Sequence, residues 1–158
     1  MTAGIHERFD EQGRPLERAP VADGVLHGEV LLYEGGRVSA RLQYAGGKRE
    51  GEAIFYYPNG VPLNRANYRN DRLDGESLFY DPEGHLVRKA RYAMDELEGK
   101  CVYYYLSGRP RQLEQYKNNL LDGELVRVSE DGKVEARECY RAGRRVECPP
   151  DWQDTSKG

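Results

Sequence analysis

The sequence predicts an all-β protein, an elongated single-layer antiparallel meander of about five to six β-hairpin repeats of 24 residues each. Three residue series in register predict this fold. A marker glycine recurs every 24 residues, a tyrosine follows each marker by eight residues, and a second glycine follows the first four markers by fifteen. The series are Gly36, Gly60, Gly84, Gly108 and Gly132; Tyr44, Tyr68, Tyr92, Tyr116 and Tyr140; and Gly51, Gly75, Gly99 and Gly123.

The composition suits one thin domain. Apolar residues make up 38% of the 158 residues, which is low for a compact globule, and twelve tyrosines argue against disorder. The net charge of −3 favours neither nucleic acid nor a membrane surface. No 18-residue apolar run occurs, and the first fifteen residues lack the apolar core of a signal peptide. We therefore expect a cytoplasmic protein.

Each unit contains two runs of strand-forming residues joined by turn residues. Pro58-Asn59-Gly60 separates the two runs of the second complete unit, and the other marker glycines occupy the same place. Placing the apolar residues of both runs on one side requires a three-residue loop, with Tyr57 opposite Val61. The marker glycines are then predicted to have positive φ angles.

Alternation along the strands predicts the two faces of the sheet. The predicted buried face carries the tyrosine series, of which Tyr68, Tyr92 and Tyr116 should be largely buried. It also carries Val30, Ile54, Leu78, Val102, Val126, Leu32, Tyr56, Tyr80, Tyr104, Val128, Leu42, Ala66 and Ala90. The predicted polar face carries Arg41, Arg65, Lys89 and Arg137, interrupted by Leu113, together with Leu31, Phe55, Phe79 and Tyr103.

The ends of the chain depart from the repeat. Residues 1–27 contain a degenerate copy, since Gly13 and Gly28 are fifteen apart and Val21 replaces the tyrosine. Residues 28–147 hold five repeats, and residues 148–158 form a polar tail, which we interpret as a cap or a disordered end. Trp152 is equally a candidate interface anchor. The three cysteines, Cys101, Cys139 and Cys148, lack metal-ligand spacing, so we expect reduced thiols; a Cys139–Cys148 disulfide is the alternative.

The unit Gly-Glu-x-x-x-Tyr-Tyr-x-x-Gly … Tyr-x-x-x-x-x-x-Gly resembles the MORN (membrane occupation and recognition nexus) repeat, in particular its bacterial variant in antitoxin-like proteins. The resemblance covers roughly residues 9 to 147. It implies a twisted antiparallel meander. In eukaryotic relatives such arrays are linked to lipid contact, dimerisation and scaffolding, and in bacteria to neutralising a toxin or secreted effector. The chain departs from the usual Tyr-x-Gly-x-Trp unit, which weakens the analogy with lipid binding.

The sequence does not predict an enzyme. His6, His27 and His85 occupy unrelated repeat positions. Glutamates that follow the strand-opening glycines form a ladder broken by Lys100, and equal spacing along a rod does not make carboxylates converge. We predict no catalytic residue, no metal site and no cofactor.

The leading interpretation is a protein-binding module, an immunity protein or antitoxin that neutralises a cognate toxin or effector protein by direct binding. The alternative is a scaffold or a membrane-associated module. No nucleic acid is expected, a membrane is a poor candidate, and the sequence does not predict an oligomeric state. The predicted partner-binding residues are Phe55, Tyr57, Arg65, Phe79, Lys89, Tyr103 and Tyr105. A second candidate surface comprises the loop acids Asp71, Asp74, Asp95, Glu96 and Glu98.

Overall fold

A computed structural model describes residues 2–150, and the predicted roles of Trp152 lie outside this range. Within it the chain forms eighteen β-strands and no helix. They are β1 (Ala3–Phe9), β2 (Pro15–Ala22), β3 (Val25–Leu26), β4 (Gly28–Glu34), β5 (Arg37–Ala45), β6 (Lys48–Arg49), β7 (Gly51–Tyr56), β8 (Pro62–Arg69), β9 (Arg72–Leu73), β10 (Gly75–Tyr80), β11 (Leu86–Ala93), β12 (Glu96–Leu97), β13 (Gly99–Tyr104), β14 (Pro110–Lys117), β15 (Leu120–Leu121), β16 (Gly123–Val128), β17 (Val134–Arg141) and β18 (Arg144–Val146).

The strands form one open antiparallel sheet, which confirms the predicted meander of hairpin repeats. Each unit is a hairpin of two long strands, such as β7 and β8, and the second strand also pairs with the first strand of the next unit. Short strands such as β9 connect the units. Contacts run between strands that are close neighbours in the sheet, as expected of a repeat array.

The hairpin loops of the second to fifth complete units have the predicted three residues. In the second complete unit the Tyr57 amide donates to the Val61 carbonyl at 2.9 Å, and the Gly60 amide donates to the Tyr57 carbonyl at 2.9 Å. Gly60 has a φ of +86°, a conformation that residues with a Cβ rarely adopt. All five marker glycines have positive φ angles, which confirms the prediction.

A β-bulge follows each loop, and in the second to fifth complete units it reverses the predicted faces. Tyr56 pairs with Pro62, but Phe55 pairs with Asn64, so Leu63 is an extra residue in the second strand. A one-residue shift moves every later side chain to the other face. Arg65 consequently pairs with Ile54, and the predicted grouping of Phe55 with Arg65 is wrong.

We name the faces after the residues they carry. The tyrosine face carries the five tyrosines of the repeat, and the ion-pair face is the opposite one. In the second to fifth complete units the first-strand residues of the tyrosine face include Phe55, Phe79, Tyr103 and Arg127. Those of the ion-pair face include Ile54, Leu78, Val102 and Val126. In the shorter first unit Val30 and Leu32 lie on the tyrosine face, and Leu31 opposite Arg41 lies on the ion-pair face.

The apolar core changes face along the array. In the first part of the sheet it lies on the tyrosine face, where Ala19, Val30, Leu42 and Ala53 pack with partly buried neighbours such as Tyr68. In the last two units it lies on the ion-pair face, built from Val102, Leu113, Val126 and Val128 with Tyr104 against them. The tyrosine face of the later units is consequently not needed for that second core.

The tyrosines are less buried than predicted. Tyr68, Tyr92 and Tyr116 are half-buried, because a single-layer sheet has no second layer above them. The fully buried positions of this face include the small residues two positions before the tyrosines, such as Ala66 and Ala90. The expectation that the tyrosines themselves are largely buried is therefore wrong.

The prediction that all three thiols are reduced is also wrong. Cys139 and Cys148 form a disulfide across nine residues of sequence separation, whereas Cys101 is a free, buried thiol. The bridge joins the segment after β18 to the ion-pair face, since Cys139 pairs with Glu124. Disulfides are typical of oxidising compartments, and the predicted cytoplasmic location stays a prediction.

The turns between units are joined by side-chain hydrogen bonds. Asp71, Asp95 and Asn119 each have a positive φ and accept a backbone N–H from the preceding turn, with distances of 2.9, 2.7 and 2.7 Å. Short polar side chains tolerate this conformation and supply the acceptor. The repeated contact fixes the spacing of neighbouring hairpins along one edge of the array.

Candidate protein-binding surfaces

The seven predicted site residues are all half-buried, but the structure divides them between the two faces. Phe55, Phe79 and Tyr103 lie on the tyrosine face. Arg65 and Lys89 lie on the ion-pair face, opposite Ile54 and Leu78 respectively. Tyr57 and Tyr105 lie at hairpin loops, and their hydroxyls donate to the carbonyls of Tyr80 and Val128 at 2.8 and 2.7 Å. Their role in binding stays a prediction.

Arg88 replaces the predicted cations on the aromatic surface. It lies directly opposite Phe79 in the hairpin and opposite Tyr103 of the next unit. Its guanidinium carbon is 5.1 Å from the Phe79 ring centroid and 5.6 Å from that of Tyr103, which are cation–π distances. Its Nε also donates to the Cys101 sulfur at 3.4 Å. The stack of these rings on one guanidinium is a rigid, amphipathic contact surface.

A concavity of approximately 530 Å³ adjoins this stack. Besides the stacked residues, its wall includes the exposed Leu106 and Arg111 of the fourth hairpin. Aromatic rings and arginines beside an exposed aliphatic side chain are the composition of interface hot spots. We call Phe79, Arg88, Tyr103, Leu106 and Arg111 the aromatic–arginine surface.

Polar residues extend this surface toward the end of the sheet. Glu114, only 5% exposed, accepts hydrogen bonds from Gln112 Nε2 at 2.7 Å and from the Tyr116 hydroxyl at 2.6 Å. Arg127 Nε donates to Gln112 Oε1 at 3.3 Å. Glu114 stands where the second and third units have alanine, and Arg127 stands where they have phenylalanine. The tyrosine face therefore changes from a packed core to a hydrogen-bonded polar surface.

The titratable groups here are suited to binding rather than to proton transfer. Burial raises the pKa of the Cys101 thiol and of the Tyr103 hydroxyl. Burial, with the hydrogen bond to Glu114, also raises the pKa of Tyr116 well above its ordinary value. These groups stay protonated at neutral pH, so Cys101 carries little of the thiolate that a nucleophile requires.

The ion-pair face presents a second candidate surface. Cross-strand pairs join Glu29 with Arg41 at 2.9 Å and Glu52 with Arg65 at 3.3 Å. Glu124 is paired with Arg137 in the last unit. In the fourth unit Lys100 and Leu113 occupy the equivalent positions, beside a concavity of approximately 540 Å³.

Three of the five loop acids accept hydrogen bonds from the turns. Asp71 and Asp95 accept backbone hydrogen bonds from neighbouring turns, and Glu98 accepts the Asn118 amide at 2.9 Å. Hydrogen bonds from Arg49 lower the pKa of Asp71. These contacts explain Asp71, Asp95 and Glu98 as parts of the turns, which favours the aromatic–arginine surface as the candidate binding site.

One group of metal-ligand residue types occurs among the described residues, at the third hairpin loop. Asp81 Oδ1 accepts the amides of Glu83 and His85 at 3.0 and 2.8 Å, so its geometry is that of an Asx turn. Asp10 makes the same contact with the Arg14 amide, although Arg14 is not a metal ligand. The loop conformation therefore explains the cluster without an ion.

Sequence reasoning missed Arg88 and Glu114. Both lie in second strands beyond the bulge, where the predicted alternation assigned residues to the wrong face of the sheet. Lys100 interrupts the series of glutamates, and Leu113 interrupts the series of basic residues, so both departures could be recognised in the sequence. That Lys100 and Leu113 lie close together follows only from the strand register, in which Val102 lies opposite Leu113.

One comparison with known proteins, a match to a family model, agrees with the repeat. The family model described as MORN repeat variant matches residues 49–70, 73–93 and 97–118. A solved structure, "Crystal structure of GtfA/B complex bound to UDP and GlcNAc", is similar at 16% identity and a TM-score of 0.33, with 87% of this chain and 27% of that chain covered. A comparison with curated proteins gave no match. Residues 2–150 contain no helix able to cross a membrane. Three units of this array thus match the MORN repeat variant, a class of module that generally binds proteins or lipids.

Proposed function

We propose that this protein neutralises a cognate bacterial toxin or secreted effector by binding it directly through the aromatic–arginine surface. The observation that carries the proposal is the stack of Phe79 and Tyr103 on Arg88, beside a concavity and away from the second core. A surface that is not required for packing is free to be specialised for a partner.

The physical properties of this surface suit tight binding. The rings are held by the sheet and by Arg88, so little side-chain entropy is lost when a partner covers them. Trp, Tyr and Arg dominate measured hot spots because they combine large apolar area with hydrogen-bonding groups. The scaffold alternative has no comparable support. A lipid surface would be favoured by a basic patch, whereas the chain has 27 acidic against 24 basic residues.

The proposal is tested with the double variant Arg88→Gln and Tyr103→Leu. A partner is first captured from the native cell and purified, and its affinity is measured by isothermal titration calorimetry. We expect the double variant to bind roughly a hundredfold more weakly, because it loses a ring and the cation stacked on it. Coexpression with the toxin should then no longer protect cells.

The matched control is Arg65→Gln, which removes an arginine of the opposite face. It should leave affinity and protection unchanged, and circular dichroism should show that all variants retain the fold. Unchanged affinity in the double variant would exclude the aromatic–arginine surface as the site. A partner without toxic activity would overturn the neutralising function while leaving the binding surface intact.

A further inference from the structure

The repeat provides an internal comparison for the ion-pair face. The first, second and fifth complete units each place an acid and an arginine at equivalent positions, and each forms an ion pair. The fourth unit has Lys100 in place of the acid and Leu113 in place of the arginine. In the third unit Lys89 replaces the arginine. Neither lysine forms an ion pair within residues 2–150.

The substitutions surround a recess of approximately 540 Å³. Its floor is apolar, with Val102, Leu113 and Val128 only 6–9% exposed, and Tyr104 and Pro110 form its wall. This volume lies within the range of pockets that hold small ligands. An aromatic side chain placed there would contact apolar groups on several sides.

The rim of the recess carries three cations and two carboxylates. Lys89, Lys100 and Arg109 lie on it, and the loop that follows β16 contributes Glu130 and Asp131. The negative charge of Asp131 is partly offset within its own loop by Lys133, whose Nζ lies 3.7 Å from Asp131 Oδ2. Lys89 and Lys100, which form no ion pair within residues 2–150, are therefore the groups available to an incoming carboxylate.

We propose that this recess is a second docking site, which binds an extended acidic segment of a partner protein through one aromatic side chain flanked by carboxylates. The aromatic ring would occupy the apolar recess, and the carboxylates would pair with Lys89 and Lys100. Charge complementarity with the lysines favours a segment with acidic residues, and the apolar floor favours an aromatic side chain between them. The site lies on the opposite face from the aromatic–arginine surface and goes beyond the proposed function.

The experiment uses the full chain and a fluorescein-labelled peptide with the sequence Gly-Asp-Trp-Asp-Gly, followed by fluorescence anisotropy. We expect saturable binding that weakens as salt is raised, since exposed charges are screened. Peptides with alanine in place of tryptophan, or lysines in place of the aspartates, should bind roughly tenfold more weakly or not at all. Equal binding of all three peptides would overturn the proposal.

The key variant is Lys100→Glu, which places at the rim of the recess the acid that the first, second and fifth units carry and leaves the core residue Leu113 in place. We expect it to lose peptide binding at an unchanged melting temperature. The opposite charge reversal in the second unit, Glu52→Lys, should leave peptide binding unchanged. Binding that survives the fourth-unit variant would place the peptide elsewhere.

A chain that ends at Pro150 distinguishes the partner from the protein's own C-terminus. If the recess receives a partner's segment, the full and shortened chains bind the peptide with similar affinity. Peptide binding seen only with the shortened chain would show that residues 151–158 compete for the recess, and would overturn the assignment to a partner protein.

Discussion

Side chains at equivalent repeat positions show how single residues change the role of a surface. Ala53 and Ala66 form a buried cross-strand pair in the second unit, whereas Cys101 and Glu114 form the equivalent pair two units later. The backbone register is the same, so the difference lies in the side chains. The small apolar pair allows neighbouring side chains of the tyrosine face to pack closely, whereas the polar pair at the equivalent position forms hydrogen bonds.

Cys101 should be an inert thiol in the native protein. It is 1% exposed and burial raises its pKa, so both access and thiolate formation are disfavoured. We expect Ellman's reagent at pH 8 to modify no cysteine in the native chain and one in urea. Reduction should release two further thiols, from Cys139 and Cys148. Rapid modification of the native protein would contradict the buried position, and Cys101→Ser is the control.

At the scale of the hairpin, the two kinds of turn have separate functions. The three-residue loops set the period of the repeat and carry the glycine with positive φ. The two-residue turns between units hold a residue such as Asp95 in the same region of φ, and its side chain caps the preceding turn. Local pairing and the contact between neighbouring units are thus fixed by different residues.

Asp95 tests the contribution of the capped turn. Asp95→Ala should destabilise the chain by about 1–3 kcal/mol, because alanine disfavours a φ of +73° and leaves the Leu73 amide without its acceptor. Asp95→Asn should be nearly neutral, since Asn119 makes the same contact one unit later. Urea denaturation measures both. Similar losses in the two variants would show that the charge of Asp95, rather than its conformation, stabilises the turn.

The hairpins also show how far sequence reasoning extends. Period, loop length and glycine conformation were predictable because each depends on residues adjacent in sequence, such as Pro58 to Gly60. The assignment of side chains to the two faces was not predictable, because the bulge at Leu63 has no sequence signature. The bulge moves each later side chain of the strand to the opposite face. Phe79 and Tyr103 were therefore grouped with Arg65 and Lys89, whereas the structure places them around Arg88.

For the whole molecule, the disulfide fixes the end of the array. Cys148→Ser removes a short covalent loop, and chain-entropy arguments give a stabilisation of about 2–3 kcal/mol for a loop of this size. We expect a lower melting temperature in this variant and in the reduced wild-type protein. Hydrogen exchange should become faster in β17 and β18 while β4 to β8 are unchanged. Equal melting temperatures under reducing and oxidising conditions would contradict a stabilising bridge.

The two apolar clusters lie on opposite faces and at opposite parts of the sheet, and the third complete unit, β10 and β11, connects them. That unit buries the small residues Ser77 and Ala90 and contributes no side chain to the buried part of either cluster. In a repeat array each unit is stabilised mainly by its neighbours. The coupling between the two halves therefore depends chiefly on backbone pairing through this unit.

Val30→Ala and Val126→Ala test this separation. Each valine is almost fully buried, in the first and second cluster respectively, so each truncation should cost about 2 kcal/mol. Native-state hydrogen exchange should show that Val30→Ala reduces protection in β4 to β8 more than in β13 to β17, and that Val126→Ala does the reverse. The reason is that a local cluster loses its packing while the other cluster, on the opposite face, keeps its own. Uniform loss of protection in both variants would instead mean that the third unit couples the halves into one cooperative unit.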